Sequence, residues 1–154
     1  MKELLKWPLI MAAVVVVFRV VTEQGVAPDS INNLISVVAL HLVIGPIYFA
    51  VRIARSGEPR PYVTLLKTVL LYVVLTRVMV LPTYWLARIY GWPQPRFYGL
   101  SDATPFIGYI GIPFLTGAFW VAASVILGGL VGSIIVAIVR RMRKSAATGV
   151  SSAS

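Results

Sequence analysis

Apolar residues gather into four long runs separated by short polar segments, and this pattern sets the expected architecture before any single residue is considered. A helix needs roughly 20 residues to cross a hydrocarbon core about 30 Å thick. The runs cover about Leu4 to Thr22, Ser30 to Arg52, Tyr62 to Arg88 and Ile112 to Val139, and each is long enough. They predict an all-α, polytopic membrane protein: a four-transmembrane-helix bundle filling residues 1–144 as one domain. Residues 145–154 read "SAATGVSSAS", small and polar, and predict a disordered tail. Pro8 suits the opening turn of the first helix. That run resembles a secretory leader only superficially. It is long, Arg19 interrupts it, and no small-x-small cleavage motif precedes "TEQG", so it is read as a retained span.

The polar segments alternate in charge, which gives an orientation. "TEQGVAPDS", between the first and second runs, has no Lys or Arg, whereas "RIARSGEPRPY" carries Arg52, Arg55 and Arg60. Lys2 and Lys6 lie at the N-terminus, around the start of the first run, and "RRMRK" follows the last. Four alternating spans place all three basic segments on one face, so both termini are expected in the cytoplasm. The segment from about Tyr90 to Gly111 then lies outside. Its prolines 93, 95 and 105 forbid a continuous helix. Its aromatic residues Trp92, Phe97, Tyr98, Phe106 and Tyr109 suit the headgroup zone, so it reads as an aromatic belt, a lid or a docking surface.

Composition sharpens this picture. The chain has 154 residues, of which 58% are hydrophobic and 12% charged, about half the 25% or so usual in a soluble domain. The absence of cysteine removes disulfides and thiolate metal sites, and His41 is the single histidine, so one chain cannot build a multi-histidine zinc site. A net charge of +9 would suggest nucleic acid in a soluble protein. Here the bases cluster at the ends of apolar runs, so lipid headgroups are the expected partner and nucleic acid is not.

Arg77 lies about halfway along the third run. At that depth an arginine costs about 2.5–3.5 kcal/mol on insertion scales, which the flanking Leu and Val offset at roughly 0.3–0.6 kcal/mol each. Side chains lean toward the helix N-terminus, and from Arg77 to Tyr62 is about 22 Å, beyond snorkelling reach. The guanidinium is therefore expected to face the bundle interior or a partner. A stripe at helical spacing runs through Lys67, Val74, Arg77, Leu81, Tyr84 and Arg88, and another through Ser30, Asn33, Val37, His41, Gly45, Tyr48 and Arg52. If the stripes face each other, His41 meets Arg77 near the midplane in a polar seam that includes Asn33, Tyr48 and Tyr84. The chain's acids are Glu3, Glu23, Asp29, Glu58 and Asp102; none is at the depth of Arg77, and Glu23 is spaced to satisfy Arg19. Pro46 cannot donate to the Leu42 carbonyl, which becomes a candidate acceptor. The acceptor is thus internal (Leu42, His41 or a tyrosine), an acid on another protein, or a bound anion. His41 itself is a neutral residue bonded to a neighbouring helix, or a haem, pigment or quinone site, or a proton relay.

The fourth run carries a packing motif. Ser124, Gly128 and Gly132 recur every four residues, with Gly129, Ser133 and Ala137 in a parallel row. Small residues in register let membrane helices approach closely; the partner helix is internal or across a subunit interface, and the interface is the favoured use. Catalytic patterns do not emerge: "GLSDA" lacks the last glycine of a nucleophile elbow, and no phosphate loop, HExxH or paired carboxylate occurs. The sequence therefore favours a non-catalytic integral membrane subunit of a larger assembly, packing through the Gly/Ser face of the last helix. Self-association is the other form that partnership takes. A small oligomeric transporter or channel with an anion-favouring cavity at Arg77, His41, Tyr48, Tyr84 and Arg88 is the alternative. A haem-, pigment- or quinone-binding subunit using His41 is the third; otherwise no cofactor is expected.

Overall fold

Apolar residues dominate every regular element, and in lipid such segments must satisfy their backbone groups internally, which leaves the helix as the available form. A computed structural model describes residues 2–24, 39–92, 97 and 99–151. The elements are α1 (Lys2–Gln24), a π-helical turn (Leu40–Ile44) leading into α2 (Gly45–Arg55), α3 (Pro61–Tyr90), and a second π-helical turn (Ile107–Gly111) leading into α4 (Ile112–Ser151). The chain is all-helical among the described residues. Three helices are long and apolar enough to cross a membrane: Glu3–Val21, Pro61–Tyr90 and Ile107–Arg143. Of the expected second span, residues 30–38 lie outside the described residues.

Boundaries follow local chemistry. Pro61 opens α3, where a missing N–H costs nothing. Gly91 closes it with φ 62°, a left-handed geometry that other residues adopt reluctantly, and the Trp92 N–H returns to the Ala87 carbonyl at 2.9 Å. α1 begins at Lys2, earlier than the expected Leu4, so Pro8 sits inside the helix. α4 continues past Val139 to Ser151, through residues expected to be a disordered tail. Nothing there breaks a helix as proline would, and an existing helix propagates at one bond per residue.

Two buried clusters organise the packing. One joins Leu5, Phe49, Ile53, Leu65, Tyr72 and Val136; the other joins Val16, Val80, Tyr84, Ala87, Phe97 and Leu100. The buried face of α3 also carries Thr68, Thr76 and Thr83, which donate to the carbonyls of Thr64, Tyr72 and Val80 at 2.7, 2.8 and 2.7 Å. These bonds silence polar groups that lipid or core would otherwise strand. Elsewhere the large apolar side chains point outward, among them Trp7, Val14 and Phe18 on α1 and Ile126, Leu130 and Ile134 on α4. A surface of this kind is suited to lipid rather than water.

Candidate functional site

The π-helical turn at Leu40–Ile44 places the polar centre. Its register returns the Gly45 N–H to the Leu40 carbonyl, five residues back. The next bond in that register would run from residue 46 to the His41 carbonyl, and Pro46 has no N–H to make it. The carbonyl freed by the proline is therefore that of His41, one residue from the expected Leu42. It points at α4: a side-chain carbon on Gly128 would lie 2.9 Å from the His41 oxygen and 2.8 Å from Pro46 Cγ. Gly132 is similarly tight, with Leu65 Cδ2 at 2.8 Å. The Ser124–Gly128–Gly132 row thus packs against the chain's own helices, not in the subunit interface expected of it. Gly129 and Ser133 lie beside that row and are half-buried.

His41 is fully buried, its ring meeting Tyr72 edge-on at 5.5 Å. Its Nδ1 lies 3.4 Å from Nη2 of Arg77, so the expected meeting of these residues occurs. A guanidinium can only donate, hence Nδ1 accepts and the neutral imidazole carries its proton on Nε2. Arg77 also lies over the Trp120 ring, 5.6 Å from its centroid, a contact worth about 0.5–2 kcal/mol depending on desolvation. Among the described residues, three buried polar atoms have no hydrogen-bond partner: His41 Nε2, Arg77 Nε and Ser124 Oγ. Ser124 is one turn from Trp120, which touches Arg77, and one turn from Gly128, which touches the His41 carbonyl.

Of the other expected seam residues, Tyr48 and Arg88 go elsewhere. Asn33 lies outside the described residues. Tyr48 lines an apolar groove of about 270 Å³ with Trp7, Met11, Leu40 and Tyr72. The cause is the π turn: one extra residue in a turn shifts every later position by about 100°, so Tyr48 no longer shares the face of His41. In the α3 stripe Lys67 and Val74 are exposed, and Tyr84 is buried with its ring against Phe97 at 5.3 Å. Arg88 serves the segment at residues 99–111. It donates to the carbonyls of Leu100 and of Ala103, the latter at 2.8 Å, and lies 4.8 Å from the Tyr109 ring centroid. Gly108 makes room for it, since a side-chain carbon there would overlap the guanidinium. Trp85 Nε1 donates to the Tyr109 carbonyl at 2.9 Å, so the segment is fastened to α3 at two places.

Sequence reasoning missed Trp120 and Tyr72. Trp120 was within reach, because it extends the Ser124–Gly128–Gly132 row by one more step of four. Tyr72 is on the buried face of α3, and only the position of His41 gives it a polar neighbour. Among the described residues no group of three or more His, Asp or Glu side chains is close enough to hold a metal ion. The Nδ1 lone pair of His41 is engaged by Arg77 and Nε2 carries the proton, so axial ligation of a haem or pigment would require the ring to turn; donation to an acceptor would not. Together these features define a chain that is all-helical over its described residues, with three helices among them able to span a membrane and a polar seam at His41 and Arg77. No protein-family model matches the chain, and neither a curated protein nor a solved structure is detectably similar to it.

Proposed function

We propose that the chain is a non-catalytic integral membrane subunit of a larger assembly: a four-span bundle with both termini in the cytoplasm and a partner's transmembrane helix seated on α4. The observation that carries the partner is the contrast between neighbouring glycines. At Gly128 and Gly132 a side-chain carbon would collide at 2.8 Å, so internal packing explains both. At Gly129 the nearest atom is Leu66 Cδ1 at 3.5 Å, ordinary contact, so the chain's own packing does not require a glycine. Gly129 and Ser133 instead wall a groove of about 410 Å³ with Tyr62, Leu66, Val125 and Leu130, open on the apolar surface. A small-residue step beside such a groove suits the ridge of another helix.

The orientation is supported by contacts at the basic end. Arg143 donates to the carbonyls of Ala54 and Arg55 at 3.2 Å each, and Arg140 to that of Glu58, so the last turn of α2 and the end of α4 sit together. Leu5 packs in the cluster of Ile53 and Leu65, and Val16 in that of Val80 and Ala87, so α1 starts at this same end. An end that gathers arginines belongs in the cytoplasm.

The test is purification from native membranes in mild detergent. A stoichiometric membrane partner is expected, lost on Gly129→Leu with Ser133→Leu while the chain itself remains folded; a chain that purifies alone refutes the reading. A small oligomeric anion transporter or channel is the second reading, favoured by the unpartnered donors at Arg77. Anion flux into liposomes that disappears with Arg77→Leu would replace the first reading with it.

A further inference from the structure

We propose that the groove between α1 and α2 seats one acyl chain of an anionic phospholipid, with the phosphate held by Arg52 and Arg55. The inference rests on neither the partner nor the orientation proposed above. The groove is the one of about 270 Å³ walled by Trp7, Met11, Leu40, Ile44, Tyr48 and Tyr72. Trp7, Met11 and Ile44 are exposed, so it opens on the apolar surface, and the buried Tyr72 ring is its floor. Gly45 also lines it: a side-chain carbon there would lie 2.8 Å from Tyr72 Cε1, so glycine lets the helix close on that ring.

Shape selects the class of occupant. From Leu40 to Tyr48 is about 12 Å along the helix axis. Spread over that length, 270 Å³ is a channel about 5 Å across. Carbon atoms pack about 3.5–4.0 Å apart, so this is the width of one methylene chain. A partner's helix is about 10 Å wide and does not enter. An apolar cavity of about 150 Å³ accommodates benzene, so the groove has room for roughly ten carbons.

Charge selects the lipid. Arg52 and Arg55 follow Tyr48 at i+4 and i+7, on the groove's face of α2, and continue it toward the arginine-rich end. Arg60, Arg140 and Arg143 gather at that end as well, where the described acids are Glu3 and Glu58. Long basic side chains reach a phosphate from just inside the headgroup zone, and a cluster of them favours an anionic lipid over a zwitterionic one. A chain lying in the groove leads its headgroup to this mouth.

The experiment uses the full chain in detergent micelles, titrated with phosphatidylglycerol or phosphatidylcholine of identical chains and read by native mass spectrometry. One phosphatidylglycerol is expected to bind each chain at concentrations where phosphatidylcholine does not. Arg52→Gln with Arg55→Gln is expected to raise the half-saturating concentration roughly tenfold or more. Arg141→Gln, on a separate groove of α4 with Ile138 and Met142, is expected to leave it unchanged. Met11→Trp, which fills the groove, is expected to abolish the one-to-one complex. If Met11→Trp does not fold, Trp7 fluorescence decides, in a chain with its other tryptophans changed to Phe. Quenching by brominated-chain phosphatidylglycerol that saturates at one lipid per chain supports the site, and quenching no stronger than that by brominated phosphatidylcholine refutes it. Equal binding of the two lipids, or a Met11→Trp titration identical to wild type, overturns the inference. The second of these is the outcome if residues 25–38 or a partner cover the groove.

Discussion

The carbonyl oxygen of His41 lies 2.9 Å from the point that a side-chain carbon on Gly128 would occupy. The π-helical turn aims this oxygen, Pro46 leaves it without a backbone donor, and the glycine lets α4 close over it. A Cα–H···O contact is what such proximity permits.

Three glycine substitutions should therefore rank in order. Gly128→Ala meets backbone and a proline ring, and is expected to destabilise by about 1–3 kcal/mol, the usual cost of overpacking. Gly132→Ala meets the flexible end of Leu65 and should cost less. Gly129→Ala should stay within about 0.5 kcal/mol of wild type. Chemical unfolding in mixed micelles measures the series, and equal effects at 128 and 129 would contradict the packing described.

The His41–Arg77 contact should show the asymmetry of a buried charged donor. His41→Leu removes the side-chain acceptor and is expected to cost about 1.5–3 kcal/mol. The double variant His41→Leu with Arg77→Leu should be more stable than His41→Leu alone, because it also removes the stranded charge. A double-mutant cycle with no coupling would mean that the contact contributes nothing.

Arg88 should govern the 99–111 segment rather than the seam. Arg88→Ala removes both donations to Leu100 and Ala103, and amide exchange over residues 99–104 is expected to accelerate about tenfold or more. Gly108→Ala should reproduce the effect by displacing the guanidinium. Unchanged exchange in both variants would show that the segment is held by other contacts.

Orientation is open to a clean labelling experiment, because the chain has no cysteine of its own. Ser56, Ser101 and Ser145 are exposed. With both termini in the cytoplasm, cysteines at 56 and 145 should be shielded from an impermeant maleimide applied outside intact cells, and one at 101 should react. The reverse pattern would invert the topology.

Much of the helical content was legible in hydropathy, because twenty apolar residues in a row have few alternatives to a helix. The meeting of Arg77 with His41 was legible too, since both sit near the centres of their runs. The rest depended on a register that hydropathy does not encode. A single extra residue in the Leu40–Ile44 turn moved the freed carbonyl from Leu42 to His41 and carried Tyr48 to the apolar groove. Arg88 matched the α3 stripe in spacing, but the carbonyls that claim it belong to a proline-rich segment with no periodicity to read. The Gly/Ser rows announced close packing without naming a neighbour, and one row is used within the chain.

The fastenings described at α3 and α4 sit at opposite ends of the pair. Trp85 and Arg88 pin one end through the 99–111 segment, and Arg140 pins the other through the Glu58 carbonyl. A pair of rods clamped at both tips cannot scissor; it can only bow at mid-length, where Arg77 and Trp120 face each other.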